Sequence, residues 1–179
     1  MARLPLATLL FLAGCATTPQ ASVGPPVSAV RVSLLQQVEP LLAKSLTAEG
    51  FTVGQSEVTA NSAAARNTGE AWDANTVTVV FDGTRDPSRP DVEMQALTTP
   101  QQAAVLGNFS SALRKIVTGQ DGVVVSSSVV ENYHEQTLTT VYTLPGVVGS
   151  VQAKLSPASD AAEETRNRFE VVIREQPGR

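Results

Sequence analysis

Cys15 is the only cysteine of the 179-residue chain, and it closes the tetrad Leu12-Ala13-Gly14-Cys15. A lone thiol in an exported chain has no disulfide partner and calls for another use. The residues before it have the layout of an export signal. Met1-Ala2-Arg3 supplies a cationic start, and Leu4 to Leu12 supplies an apolar run built on Leu6, Leu9, Leu10 and Phe11. That run is far shorter than the roughly 20 residues a spanning helix needs. It therefore reads as a secretory signal rather than a membrane span. The plainer alternative is an ordinary cleaved signal with a cysteine nearby by chance.

The order of apolar run, Ala13-Gly14 and Cys15 resembles the lipobox of bacterial lipoproteins. The resemblance covers about the first 15 residues. It implies that Cys15 carries an S-diacylglyceryl group, that residues 1–14 are removed, and that the new amino terminus is N-acylated. Two or three acyl chains hold a protein stably on a membrane, whereas one binds only marginally. Ala16, not aspartate, follows the cysteine. The resemblance reads this as sorting to an outer membrane where the organism has one, and otherwise as residence on the outer face of the cytoplasmic membrane.

Other residues with chemical potential are less well supported. His134 is the only histidine and lies in Glu131-Asn132-Tyr133-His134-Glu135. With Glu131 and Glu135 it could form a metal or general-base site, but zinc sites take three or four ligands, mostly His or Cys. A solvated hairpin corner is the better reading. Asp82, Asp86, Asp91 and Glu93 form an acidic stretch interleaved with Arg85 and Arg89. Calcium needs six to eight converging oxygens, and the spacing here favours charge pairs and turn caps. Ser126-Ser127-Ser128 has no Gly-x-Ser-x-Gly elbow around it and reads as the polar face of a strand. Gly146 to Gly149 has no following lysine, so it is not a phosphate loop. Asn108-Phe109-Ser110 matches a glycosylation sequon, but Phe109 belongs to an apolar helical face. No catalytic, cofactor or metal residues are therefore assigned.

Composition narrows the partners. Removing the signal leaves about 165 residues, one domain of ordinary size. The chain is 42% hydrophobic but only 4% aromatic, so its core must rest on Val, Leu, Ile and Ala. Formal net charge is -4. An acidic domain is repelled by phosphate-rich surfaces, which argues against nucleic acid. Attachment to anionic head groups is disfavoured for the same reason, which leaves the membrane contact to the acyl chains.

The elements follow from periodicity. Ala16 to Val27, with Pro19, Gly24, Pro25 and Pro26, has no apolar period and reads as a tether. Val30, Val32 and Leu34 alternate like a short strand. Leu35, Val38, Leu41, Leu42 and Leu46 repeat at helical spacing and stop before Gly50. Ser33 and Gln36 sit at capping-box spacing, yet Pro40 lies too deep for a helix begun there. The helix is expected to start nearer Val38, with a kinked longer helix as the alternative. Phe51, Val53 and Val58 suggest a strand, Asn61 to Ala74 a weak helix or a loop ending near a core-plugging Trp72, and Thr76 to Phe81 a clear strand.

The loop Asp82 to Asp91 leads to a helix opened by Pro100, with the stripe Leu106, Phe109, Leu113, Ile116 and Val117, closed by Gly119. Strands are expected at Val123 to Val130, Thr137 to Leu144 and Val147 to Leu155, with Pro145-Gly146 between the last two. Ser156 to Thr165 reads as a helical turn, and Phe169, Val171 and Ile173 as a final strand. The expected fold class is α+β: a mainly antiparallel or mixed sheet with two helices packed on one face. Its parts are the signal 1–14, lipidated Cys15 and tether 15–27, a single domain 28–176, and a frayed tail 177–179.

The helix running into Glu49-Gly50-Phe51-Thr52-Val53 resembles the opening of several small α+β envelope lipoproteins over about 25 residues. That resemblance implies a non-enzymatic accessory or assembly factor with a protein partner in the envelope. A carrier of a lipid or small apolar ligand in a helix–sheet cleft is the alternative. The few lysines, Lys44, Lys115 and Lys154, give no obvious basic stripe for a lipopolysaccharide. A hydrolase using the serine run, or Asp82 and Asp86, with His134 ranks third.

Overall fold

The computed structural model describes residues 28–51, 56–67, 70–82, 96–132, 134–158 and 166–178, and the side chains of these apart from 61–73. Cys15, the tether, Asp86, Asp91, Glu93 and residues 159–165 of the helical turn expected over Ser156 to Thr165 lie outside the described residues. Ser156 and Pro157, at the start of that expected turn, are strand, paired with Arg168 and Asn167. So does the side chain of Trp72, whose backbone pairs with Ala65.

Helix α1 spans Ala29–Ala48 and includes Pro40. It therefore takes in Val30 to Leu34, the stretch expected to be a strand, and begins well before Val38. The alternation of Val30, Val32 and Leu34 was ambiguous because Val30 and Leu34 are also four apart. Val30, Leu34, Val38, Leu42 and Leu46 form one continuous buried stripe, while Val32 is exposed. Burying five such side chains, at about 1.5–3 kcal/mol each, outweighs the roughly 3 kcal/mol cost of an interior proline. Pro40 itself faces solvent. The cap is Ser28, whose hydroxyl accepts the Arg31 N–H at 3.0 Å, so Ser33 and Gln36 are not a capping box. Ser33 instead accepts a bond from the Gln37 amide within the helix.

Strands β1 (Ser56–Asn67) and β2 (Glu70–Asp82) form an antiparallel hairpin. Where it is described, at 61–67 and 70–74, the stretch expected to be a weak helix or loop over Asn61 to Ala74 is thus strand. Its alanines have high helix propensity, but pairing along all of β2 overrides that local preference. Helix α2 spans Thr99–Thr118 with Pro100 in its first turn and Gly119 at its end, as expected, and the structure adds a Thr98–Gln101 capping box. Strands β3 (Val123–Asn132), β4 (Glu135–Leu144), β5 (Val147–Pro157) and β6 (Arg166–Pro177) complete the chain.

The six strands form one antiparallel sheet in the order β1-β2-β6-β5-β4-β3. The result is the expected α+β architecture, with both helices on one face. The inward faces of β2, β6, β5 and β4 read Val77-Val79-Phe81, Phe169-Val171-Ile173, Val151-Ala153-Leu155 and Leu138-Tyr142, all buried. They meet Val105, Leu106, Phe109, Leu113 and Val117 of α2 and the α1 stripe. Phe109 and Phe169 pack edge to face, with ring centroids 5.1 Å apart and planes at 77°, a geometry that suits the ring quadrupoles. Pro145-Gly146 makes the β4–β5 turn, Gly146 taking a φ of +76° that glycine adopts without steric cost. Beside that turn, Gly178 donates its N–H to the Gly146 carbonyl at 2.8 Å.

Candidate interaction site

Two features stand out from this frame: a polar junction at the start of α1 and, among the described residues, a sheet edge at β3. The junction is built on Glu175, 5% exposed on the inward face of β6. Its carboxylate accepts the Tyr142 hydroxyl at 2.6 Å and the Ser28 hydroxyl, and the Ser28 N–H approaches it at 3.3 Å. Arg31, on the first turn of α1, donates through Nε to Oδ1 of Asn75 on β2. One short cluster thus ties the start of α1 to three strands. Burial, together with the bond to and the charge of Glu175, pushes the Tyr142 hydroxyl pKa far above its usual value of 10, and the nearby Arg31 charge only partly opposes this.

Unfolding exposes a phenol that ionises near pH 10, while the folded chain keeps its proton. Above that pH the unfolded state binds fewer protons, so stability falls as pH rises. The loss by pH 11 is about 1.4 kcal/mol. Urea titrations of Tyr142→Phe and the parent at pH 8 and 11 should differ by that increment; an identical pH response in the two would contradict the assignment.

The free edge is the second feature. Among the described residues β3 pairs only with β4, and no other described strand lies along its second side. It reads Val-Val-Val-Ser-Ser-Ser-Val-Val-Glu-Asn. Val123 and Val125 are each 62% exposed, Val130 59% and Val129 43%. Glu131 is its one charged side chain, and it contains no proline. Edge strands are usually protected by charges, prolines, bulges or covering elements. Among the described residues one bulge, between Val124 and Ser126, is the device present.

The serine run places its side chains on two faces. Ser127 turns to the helix side, where its hydroxyl lies 3.1 Å from those of Ser110 and Thr140. In register, Ser126 and Ser128 sit opposite Val141 and Thr139, on the face away from the helices. His134 lies at the far end of the β3–β4 hairpin, exposed, with its carbonyl accepting the Gln102 side chain at 3.1 Å. Glu135 pairs with Lys154 at 2.5 Å, and Glu131 is exposed on β3. Among the described residues no three His, Cys, Asp or Glu side chains are gathered to hold a metal ion.

Of the acidic stretch, Asp82 is described, and it lies 3.3 Å from Arg166, which also approaches Glu57 at 3.6 Å. Asn108 faces α1 and bonds to Glu49 at 2.7 Å. A cavity of about 500 Å³ opens on the face away from the helices, between His134, Glu135, Lys154, Arg168 and Glu170. No described helix is long and apolar enough to cross a membrane.

The edge was only partly readable from the sequence. Valine density announced a strand, but exposure depended on strand order. The junction was missed altogether: Ser28, Tyr142 and Glu175 are up to 147 positions apart, and no spacing rule connects them. No protein-family model matches the chain, and no curated protein matches it either.

Proposed function

We propose that this chain is a lipid-anchored cell-envelope protein that works as a non-enzymatic docking module, held to a membrane through Cys15 and taking an added β-strand along β3. The observation that carries it is the long, valine-rich free edge of β3, nearly devoid of charge. Such an edge binds an extended segment by main-chain hydrogen bonds, with alternate side chains setting specificity. The lipobox-like residues 12–15 and the proline-containing stretch after them supply the address and the reach.

The helix–sheet interface is filled by the chain's own side chains, including the Phe109–Phe169 pair. This favours a docking surface over an interior carrier site. The partner is an envelope protein, and nucleic acid is disfavoured by the acidic balance.

A photoreactive residue placed at Val130 tests this in intact cells. It should give a discrete protein adduct, and Val129→Lys should reduce that adduct by about tenfold, because a lysine on an edge opposes pairing. The same residue at Lys44, on α1, should give none. Equal labelling from both positions, or no effect of Val129→Lys, would overturn the reading.

A further inference from the structure

We infer that the strand received by β3 is β3 of a second copy, joined about a twofold axis at Ser127; this rests on the docking role of β3 just proposed. Residues 124–130 read Val-Val-Ser-Ser-Ser-Val-Val, the same in both directions about Ser127. Antiparallel pairing centred there sets Ser127 opposite Ser127 and Ser126 opposite Ser128, and brings Val129 towards Val125, the residue at the bulge that has no β4 partner. Hydroxyl pairs and β-branched pairs of this kind are favourable cross-strand neighbours. The charges agree with that register. Glu131 falls opposite Val123, so the two copies of Glu131 never meet.

The faces agree as well. A twofold axis normal to the sheet keeps both pairs of helices on one side. Helix α2 lies over β3 and β4, and its Ser110 touches Ser127, while Asn108 on its other flank reaches α1. The flank towards β3 carries Ala103, Gly107 and Ser110, with the exposed Arg114 one turn beyond Ser110, and a Cβ at Gly107 would meet nothing within 4 Å. With strands about 4.8 Å apart, the two α2 helices would stand roughly 10–15 Å from one another. The small side chains from Ala103 to Ser110 allow such an approach along that part of the helix, and the flexible Arg114 at its end can turn to solvent. The bulge at Val124/Ser126 bends the strand and limits the flat ladder to the serine-centred segment. The product is one twelve-stranded sheet across two copies. Confinement of both copies to a membrane surface raises their effective concentration, which favours so short a ladder.

Cysteine cross-linking of the full chain purified from membranes reads the register. Opposed Cα atoms about 4.5–5.5 Å apart lie within disulfide range. Ser127→Cys should form a disulfide dimer under mild oxidation. Ser126→Cys and Ser128→Cys should do so when mixed, and at least fivefold less when alone. The parent, with Cys15 only, is the control. Sedimentation should show a concentration-dependent dimer that Val129→Lys weakens by about tenfold.

A chain that stays monomeric at 100 µM, roughly the upper range of such measurements, with Ser127→Cys unlinked, would overturn the inference. Efficient Ser126→Cys homodimers without Ser127→Cys dimers would also overturn it. If either result comes with a Val130 adduct to a different protein that Val129→Lys removes, strand addition stands and self-pairing falls. If the adduct is also missing, both fall.

Discussion

Gly149→Ala is expected to destabilise the domain by about 3 kcal/mol or more, near the upper end for overpacking a core. A Cβ at this position would lie 2.2 Å from Cζ of Tyr142 and 2.5 Å from its Cε2 and hydroxyl oxygen. Gly149 sits directly opposite Tyr142 in the β4–β5 ladder and opposite Glu175 in the β5–β6 ladder. The tyrosine ring therefore occupies the space that a side chain on β5 would take.

The ring has nowhere to go. It is fully buried, and its hydroxyl is held by Glu175. Moving it would leave the hydroxyl and a buried carboxylate without each other, which costs a further 1–3 kcal/mol or so. Chemical denaturation of Gly149→Ala should show the loss. In Gly149→Ala/Tyr142→Leu the two effects should fail to add by about 1–3 kcal/mol, because removing the ring removes the clash. Strict additivity would mean that the ring does not fill the glycine notch.

That junction also shows where the sequence stops being readable. Helix α2 was legible from Pro100 to Gly119, since its proline, apolar stripe and terminal glycine all lie within one local window, although its Thr98–Gln101 capping box was not read. Strands β3 to β6 were legible for the same reason, with valine density between clear turns. Helix α1 was misread at its start because two rules competed. Pro40 argued locally for a late start, while the stripe from Val30 to Leu46 was continuous and won through burial against the sheet.

The β1–β2 hairpin was missed because its alanines carry no strand signal, and only pairing with neighbouring strands fixes them. The docking edge falls between these cases. Its composition was visible, but its freedom follows from the strand order, which places β3 last. The proposed lipidation of Cys15 rests on residue types and spacing alone.

Cys15→Ala is expected to move the protein from the membrane to the soluble fraction and to block its maturation. Each buried methylene of an acyl chain contributes about 0.8 kcal/mol, so two or three chains hold firmly where a bare protein surface does not. The acidic balance of the domain gives it little attraction of its own for anionic lipids. Globomycin should accordingly leave a heavier precursor that retains residues 1–14.

Docking along β3 has its setting at the envelope only if the anchor exists, so the anchor is the point to measure. Mass spectrometry of the amino-terminal peptide of the membrane-extracted protein is the direct measurement. The expected species begins at Cys15 and carries a diacylglyceryl group and an N-acyl chain. An unmodified Cys15, or a chain still beginning at Met1 in untreated cells, would contradict the lipid-anchored reading.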